Sequence, residues 1–118
     1  MRTVLIVDDS RTSRRILKNI LTENGYEVIA EAENGQVGYE KYIESRPDLV
    51  TLDITMPVLD GLGSLEKIME LDPNANVIMV TAAGQKSKMV DAIKMGASEF
   101  IQKPFEPDQI LSVIDSIF

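Results

Sequence analysis

Residues 4–10 read VLIVDDS, an apolar run that stops at two adjacent aspartates. Its four apolar residues do not alternate with polar ones, which is typical of a strand covered on both faces of a parallel sheet. Runs of the same kind follow at residues 49–52 (LVTL) and 77–80 (VIMV), and weaker runs lie at residues 28–30 and 100–101. The sequence therefore predicts strands at these places, with the first, third and fourth buried on both sides.

Apolar residues between the strands recur at helical spacing, which predicts a helix after each strand. The expected buried stripes are Ile16, Leu17, Ile20 and Leu21; Leu62, Leu65, Ile68 and Met69; Met89, Ala92 and Ile93; and Ile110, Leu111, Val113, Ile114 and Ile117. Residues 35–45 are the least regular, with Tyr39, Tyr42 and Ile43 as their expected buried side.

Residues that commonly begin or end helices lie at the expected helix boundaries. Gly25 and Gly96 follow helical stretches, Asn34 and Asp60 occupy N-cap positions, and Pro107 suits a first helical position. Alternating strands and helices predict repeated βα units, which form a parallel sheet with helices on both faces. A chain of 118 residues and 13.1 kDa suits one domain, residues 1–118, with a single core.

Composition excludes several classes of function. The chain has 12 Lys and Arg against 19 Asp and Glu, a net charge of -7, so its surface repels nucleic acid and anionic membranes. It contains neither cysteine nor histidine, which excludes disulfides, a thiol nucleophile, a histidine base and the usual zinc sites. No apolar run is long enough for a signal-peptide core or a membrane span, so we expect a cytoplasmic protein.

Polar residues of one chemical theme follow four of the strands. Asp8 and Asp9 end the first run, Asp53 the third and Thr81 the fourth, and Lys103 follows the fifth. Ligands of open parallel sheets bind at the carboxyl ends of the strands, so we expect these groups to converge. At 4 Å, two like charges repel by about 4 kcal/mol at an effective dielectric constant of 20, so three carboxylates need a compensating cation.

All-oxygen ligands select Mg²⁺, Mn²⁺ or Ca²⁺, and an incomplete set that leaves water in place favours Mg²⁺ with a phosphate. Lys103 adds a point charge suited to a phosphoryl oxygen, and Thr81 adds a hydroxyl donor. The pattern predicts a phosphoryl pocket whose nucleophile is a carboxylate. Each residue also has a simpler interpretation: Asp8 and Asp9 as caps of the first helix, Asp53 as a turn residue, and Lys103 as a surface lysine.

Four motifs together resemble the receiver domains of bacterial two-component response regulators. They are residues 4–10; residues 48–57 (DLVTLDITMP) with Asp60-Gly61; residues 80–82 (VTA); and Gly96-Ala97 leading to residues 103–105 (KPF). The resemblance covers the whole chain and is strongest to the stand-alone chemotaxis receivers of the CheY type. It implies a flavodoxin-like α/β/α sandwich of three layers, with a parallel sheet in the order 2-1-3-4-5 and five helices.

The resemblance also implies a role for each residue at the strand ends. Asp53 would accept a phosphoryl group from a phosphohistidine on a sensor histidine kinase or from a small phosphodonor. Mg²⁺ would be ligated by Asp9 directly, by Asp8 through water, by the second oxygen of Asp53 and by the backbone carbonyl of Thr55. Lys103 would pair with the phosphoryl group, and the peptide bond that joins it to Pro104 is expected to be cis.

The same resemblance implies how the signal leaves the domain. Thr81 would move toward the phosphoryl group, and Phe100 would turn inward. The face of the fourth helix, fifth strand and fifth helix would then bind a downstream protein such as a flagellar motor switch component. Candidate contacts on this face are Lys86, Met89, Lys94, Phe100 and Gln102. We expect a monomer that shifts between two packings. Many chemotaxis receivers carry a tyrosine at the position of Phe100, so this chain lacks the tyrosine hydroxyl there.

Other functions fit parts of the pattern. A phosphorelay shuttle, or a receiver excised from a longer regulator, would carry the same residues. A phosphatase of the haloacid-dehalogenase type needs a second aspartate two residues after its nucleophile, where this chain has Thr55. A flavin-binding domain is disfavoured because Asp8 and Asp9 would repel a flavin phosphate. We therefore expect a switch that catalyses only its own phosphorylation and dephosphorylation, without a separate substrate.

Overall fold

A computed structural model describes residues 1–118 as strands and helices in strict alternation. The strands are β1 (Thr3–Val7), β2 (Glu27–Ala32), β3 (Leu49–Asp53), β4 (Val77–Thr81) and β5 (Glu99–Gln102). The helices are α1 (Arg11–Glu23), α2 (Gly35–Ser45), α3 (Gly61–Leu71), α4 (Lys86–Lys94) and α5 (Pro107–Ile117). No helix is both long enough and apolar enough to cross a membrane.

The five strands form one parallel sheet in the order β2-β1-β3-β4-β5. From β1 the chain adds one neighbour, β2, on one side and then crosses to β3 on the other side. This reversal opens a crevice at the carboxyl ends of β1 and β3, where ligands of such sheets bind. The predicted order and layer architecture are confirmed.

Apolar side chains cover both faces of the sheet. One core cluster joins Leu5, Val50 and Met79 to side chains of α2, α3 and α4, and the other joins Ile6 and Ile78 to side chains of α1 and α5. All residues of β3 and β4 are buried. The absence of alternation in these two strands thus has its expected cause, since both of their faces are covered by helices.

The predicted helix termini are also confirmed. Asn34 and Asp60 are N-caps whose side chains accept hydrogen bonds from the backbone N–H groups of Val37 and Gly63. Gly25 and Gly96, which follow α1 and α4, have φ of 88° and 112°, a region that side chains with a β-carbon rarely adopt.

Three residues expected in the core lie at the surface instead. Ile16, Ile43 and Ile93 are 45%, 45% and 44% exposed. Each lies at the edge of its apolar stripe, where the helix turns its side chain away from the sheet. In α2 the buried face consists of Gly35, Gly38 and Tyr42. Gly38 packs directly against β1, since a β-carbon there would lie 2.8 Å from a methyl group of Val7. A buried face made by glycine gives no hydrophobic periodicity, so the pattern pointed to Ile43 wrongly.

The hydroxyl of Thr51 is buried in β3 and has no hydrogen-bond partner. Valine has nearly the same shape, and an unsatisfied buried hydroxyl carries a desolvation penalty. We expect Thr51→Val to raise the free energy of unfolding by about 1 kcal/mol, measured by urea denaturation. Thr3→Val is the matched control and should lower it, because the Thr3 hydroxyl bonds to Asp48. A Thr51→Val variant no more stable than the parent would contradict the assignment of an unpaired hydroxyl.

Candidate functional site

The carboxyl ends of β1 and β3 bring three aspartates together. Asp8 and Asp9 directly follow β1, and Asp53 is the last residue of β3. One carboxylate oxygen from each aspartate lies within 4.8 Å of the other two. Asp8 and Asp53 are buried whereas Asp9 is exposed, so the cluster is reached from solvent beside Asp9.

The turn after β1 shows that neither Asp8 nor Asp9 is the cap of α1. Ser10 is the N-cap, and its Oγ accepts a hydrogen bond of 3.2 Å from the backbone N–H of Ser13. The Oδ1 atom of Asp8 accepts a bond of 2.8 Å from the N–H of Ser10 and thereby fixes the turn. The Oδ2 atom of Asp8 remains directed toward the cluster, where it contacts Lys103. The capping alternative is therefore wrong.

Lys103 places an ammonium group against two of these carboxylates. Its Nζ atom lies 2.9 Å from Oδ2 of Asp8 and 3.4 Å from Oδ2 of Asp53. The backbone N–H of Lys103 donates a bond of 2.8 Å to the carbonyl of Thr81, which attaches this segment to the end of β4. The Lys103–Pro104 peptide bond is cis, as expected. The surface-lysine alternative is wrong, since the Lys103 side chain is only 25% exposed and carries both contacts.

The cluster holds more negative charge than this one lysine offsets. Burial and the charge of Asp8 raise the pKa of Asp53 to about 6, although Lys103 acts in the opposite direction. Burial alone would lower the pKa of Lys103, but its hydrogen bond to Asp8 and the charges of Asp53 and Asp8 outweigh burial and raise it. A further positive charge at this place would therefore be stabilised.

The chemistry of the donors fits a hard divalent cation. The donors that converge are carboxylate oxygens, and the chain contains no histidine or cysteine that would favour a softer metal. Three carboxylates at one exposed edge leave coordination positions open for water or a phosphate oxygen, which suits Mg²⁺ and also Mn²⁺. Thr55, the expected carbonyl ligand, lies two residues beyond Asp53 in the loop between β3 and α3.

The hydroxyl of Thr81 faces β5 rather than the carboxylates. Thr81 ends β4 and is buried, and its Oγ1 lies 3.4 Å from the carbonyl oxygen of Ile101, a long hydrogen bond. Its backbone pairs with that of Gln102, whereas Asp53 pairs with Val80 one position earlier. Thr81 thus stands beside the aspartates with its donor engaged weakly elsewhere.

Gln85 links the two loops that flank Asp53, and the sequence pattern did not single it out. Its Nε2 donates a bond of 2.7 Å to Oγ1 of Thr55, and its Oε1 accepts a bond of 2.7 Å from the N–H of Ala82. A glutamine before a helix carries no motif, so only the folded loops reveal the contact.

Gly61 belongs to one of the motifs quoted above, but the motif did not show why glycine is needed there. Its N–H donates a bond of 2.7 Å to the carbonyl of Ile54, which seats the start of α3 against the end of β3. A β-carbon on Gly61 would collide with the carbonyl oxygen of Asp53 and lie 2.7 Å from Cα of Ile54. Backbone atoms cannot yield as a flexible side chain does, so only glycine fits here.

We expect Gly61→Ala to lower the free energy of unfolding by about 2 kcal/mol through this overpacking. Gly63→Ala is the matched control on the same helix, because its β-carbon would meet mainly the movable end of the Leu59 side chain. Urea denaturation of both variants measures the difference. Equal stability of the two variants would show that α3 can move away from Asp53 without cost.

A shallow apolar groove lies apart from the aspartates, between α4 and β5. It has a volume of about 310 Å³ and is lined by Met89, Val90, Ile93, Lys94 and Phe100. Phe100 is 40% exposed, so it is not an ordinary buried strand residue. Lys86 and Gln102, the other expected contact residues, are exposed as well.

Comparison with known proteins places the chain in one family. The response regulator receiver domain family matches residues 4–115. The chemotaxis protein CheY of Bacillus subtilis is 52% identical over 112 residues, which cover 95% of this chain and 93% of that protein. CheY of Thermotoga maritima is 47% identical over 116 residues, covering 98% of this chain and 97% of that protein.

A solved structure agrees with these relatives. The crystal structure of a complex of CheX, CheY, BeF3 and Mg²⁺ from Borrelia burgdorferi contains a chain that is similar with a TM-score of 0.95 and 41% sequence identity. The similarity covers 99% of this chain and 89% of that chain.

Proposed function

The chain belongs to the response regulator receiver domain family, and on that premise we propose that it is a Mg²⁺-dependent phosphorylation switch in chemotaxis with Asp53 as the phosphoryl acceptor. CheY-like receivers are signalling proteins rather than classical enzymes. The observation that carries the proposal is the cluster of Asp8, Asp9 and Asp53 within 4.8 Å, with Nζ of Lys103 2.9 Å from Asp8. The CheY relatives and the Borrelia complex with BeF3 and Mg²⁺ support it.

Asp53 is the nucleophile in the proposed transfer. With a pKa of about 6 it is largely ionised at pH 7, and its buried carboxylate faces the crevice. One oxygen attacks the phosphorus of a phosphohistidine on a sensor histidine kinase. An O–P bond forms as the P–N bond breaks, and the electron pair of that bond stays on the imidazole of the kinase. A small phosphodonor such as acetyl phosphate serves in the same way, with acetate leaving.

The residues around Asp53 bind and orient the incoming group. The ammonium of Lys103 lies 3.4 Å from Oδ2 of Asp53. It turns from this oxygen to an oxygen of the phosphoryl group and pairs with it. Mg²⁺ would be held by Asp9 directly, by Asp8 through water, by the second oxygen of Asp53 and by the backbone carbonyl of Thr55. When bound, Mg²⁺ would neutralise charge on the phosphoryl oxygens. Hydrolysis reverses the state: water attacks phosphorus, phosphate leaves, and the Asp53 carboxylate is restored.

The phosphoryl group changes the outward face through Thr81. A phosphoryl group has about two negative charges and three acceptor oxygens. It competes for the Thr81 hydroxyl with the carbonyl of Ile101, whose hydrogen bond to that hydroxyl is long, at 3.4 Å, and therefore weak. Movement of Thr81 leaves space for Phe100 to turn inward from its exposed position. The α4-β5-α5 face with Lys86, Met89, Lys94 and Gln102 then binds a downstream protein such as a flagellar motor switch component.

The domain acts as a monomer in the cytoplasm in this proposal, and phosphorylation shifts a population between two packings. A phosphatase of the haloacid-dehalogenase type is not favoured, since Thr55 stands where its second aspartate belongs and the receiver family matches nearly the whole chain. A role as a phosphorelay shuttle would use the same Asp53 chemistry with a different acceptor of the phosphoryl group.

The direct test is intact-mass spectrometry after incubation with acetyl phosphate. We expect one phosphoryl group on the parent with Mg²⁺, none after chelation with EDTA, and none on Asp53→Asn. Asp115→Asn, an exposed position on α5, is the control and should be phosphorylated like the parent. An adduct that forms equally without Mg²⁺, or that persists on Asp53→Asn, would overturn the proposal.

A further inference from the structure

We propose that Gln85 is a clamp that holds the resting state by tying together the two loops on either side of Asp53. The inference rests on the proposed function, because it concerns how readily the same site switches. One side-chain amide makes both contacts. Its oxygen accepts a bond of 2.7 Å from the N–H of Ala82, and its nitrogen donates a bond of 2.7 Å to the hydroxyl of Thr55.

The two anchor points of Gln85 lie next to the reacting groups. Thr55 is two residues beyond Asp53, and Ala82 directly follows Thr81. Gln85 itself belongs to the loop that follows β4, so its bond to Thr55 crosses to the loop that follows β3. The nearest backbone link is the bond of 3.2 Å from the N–H of Ile54 to the carbonyl of Val80 in β4. The side chain of Gln85 therefore supplies the one side-chain hydrogen bond between the two loops and, through Ala82, fixes the turn that carries it.

Gln85 makes these contacts at the expense of a role in α4. It stands at the N-cap position of α4, yet its side chain makes no capping hydrogen bond to that helix. Gly84 precedes it with φ of 87°, a backbone conformation that lets the chain turn sharply before α4. The side chain thus folds back toward Ala82 and Thr55, and the free amides of α4 are left without a side-chain partner.

The clamp opposes the movement that phosphorylation requires. Because Ala82 follows Thr81, any shift of Thr81 toward a phosphoryl group on Asp53 displaces the N–H of Ala82 as well. That displacement lengthens or breaks the bond to Oε1 of Gln85. Losing the clamp removes a favourable contact of the resting state, so the equilibrium moves toward the active packing, by roughly five-fold for one net hydrogen bond.

The first test uses the resting protein without Mg²⁺ or phosphodonor. Amide hydrogen exchange followed by NMR should show the Ala82 amide exchanging roughly five-fold faster in Gln85→Ala than in the parent. Gln109→Ala removes an exposed glutamine of α5 and should leave the Ala82 amide unchanged. An unchanged rate in Gln85→Ala would overturn the clamp whether or not Asp53 is phosphorylated.

The second test measures switching. Beryllofluoride with Mg²⁺, added to the protein as a phosphoryl analogue, should half-saturate Gln85→Ala and Thr55→Val at roughly five-fold lower concentration than the parent, read from the Thr81 and Phe100 amide shifts. Gln109→Ala, which removes an exposed glutamine of α5, should behave as the parent. In the double variant, the half-saturating concentration should fall by less than the product of the two single effects, because both substitutions remove the same hydrogen bond between Gln85 and Thr55. Parent-like half-saturation in Gln85→Ala, or full additivity, would overturn the inference.

The two proposals fail separately. If Asp53 accepts no phosphoryl group in the mass measurement, the proposed function fails while the exchange rate of Ala82 still reports on the clamp. If phosphorylation is normal but Gln85→Ala neither loosens Ala82 nor shifts the beryllofluoride titration, the clamp alone is wrong.

Discussion

Asp53→Asn is expected to be more stable than the parent at pH 7 without divalent cations, by about 2 kcal/mol. Burial and the charge of Asp8 raise the pKa of Asp53 to about 6, from 3.8 as the ordinary value. The folded parent therefore binds a proton more tightly than the unfolded chain does. Ionising Asp53 at neutral pH costs folding free energy, and an uncharged amide of similar shape removes that cost.

The pH dependence gives this prediction its sign. Below about pH 4 the carboxyl group is protonated in both states, so the advantage of Asp53→Asn should nearly vanish. It should grow between about pH 4 and pH 6 and stay constant above. Urea denaturation at pH 4, 5 and 7 in EDTA measures it, with Asp115→Asn as the control whose stability should stay close to that of the parent. A variant less stable than the parent at pH 7 would contradict the electrostatic account.

Mg²⁺ should reverse the order of the two proteins. A ligand that binds only the folded state raises its stability, by about 2.7 kcal/mol at a concentration 100 times the Kd. The parent should gain more than Asp53→Asn, which has lost one charged ligand. Thermal unfolding with and without Mg²⁺ tests this, and equal gains would exclude Asp53 from the metal site.

Lys103→Met has the second large expected effect. It leaves Asp8 and Asp53 without the ammonium that lies 2.9 Å and 3.4 Å from their oxygens. Removing one partner of a fully buried ion pair costs about 3–5 kcal/mol, and the partial exposure of Lys103 reduces this to about 2 kcal/mol. The loss of a preorganised cation beside the reacting oxygen should slow phosphorylation by acetyl phosphate on the order of 100-fold.

The stability loss has its own pH window. The folded state raises the pKa of Lys103 above its ordinary value of 10.5, so its contribution is present throughout the neutral range. It is lost only as the pH rises through that raised pKa. Lys88→Met, which removes an exposed lysine of α4, is the control and should change neither stability nor phosphorylation appreciably. Similar behaviour of the two methionine variants would contradict the role of Lys103.

The sequence predicted the parts of the site that depend on strand ends. Asp8, Asp53 and Lys103 converge because strands buried on both faces are readable as unbroken apolar runs, and parallel strands end at one edge. The resemblance to receiver domains added the strand order and the cis peptide, which the runs alone do not specify.

What the sequence could not show depends on contacts between distant segments. Glycine has no side chain to mark a buried face, so the packing of Gly38 on Val7 left no hydrophobic pattern, and the Asp60-Gly61 motif did not show that Gly61 packs on Asp53. The contact of Gln85 with Thr55 joins loops 30 residues apart through side-chain conformation, which periodicity does not encode. Ser10 rather than Asp8 caps α1 because the fold directs Asp8 toward Lys103.

The most direct measurement of the central claim locates the phosphoryl group on the chain. Borohydride reduces an acyl phosphate of aspartate to homoserine, so reduction after incubation with acetyl phosphate and Mg²⁺ marks the acceptor permanently. Peptide mass spectrometry should find homoserine at position 53 alone. Homoserine at Asp8 or Asp9, or at no position while the intact protein carries a phosphoryl group, would contradict the account.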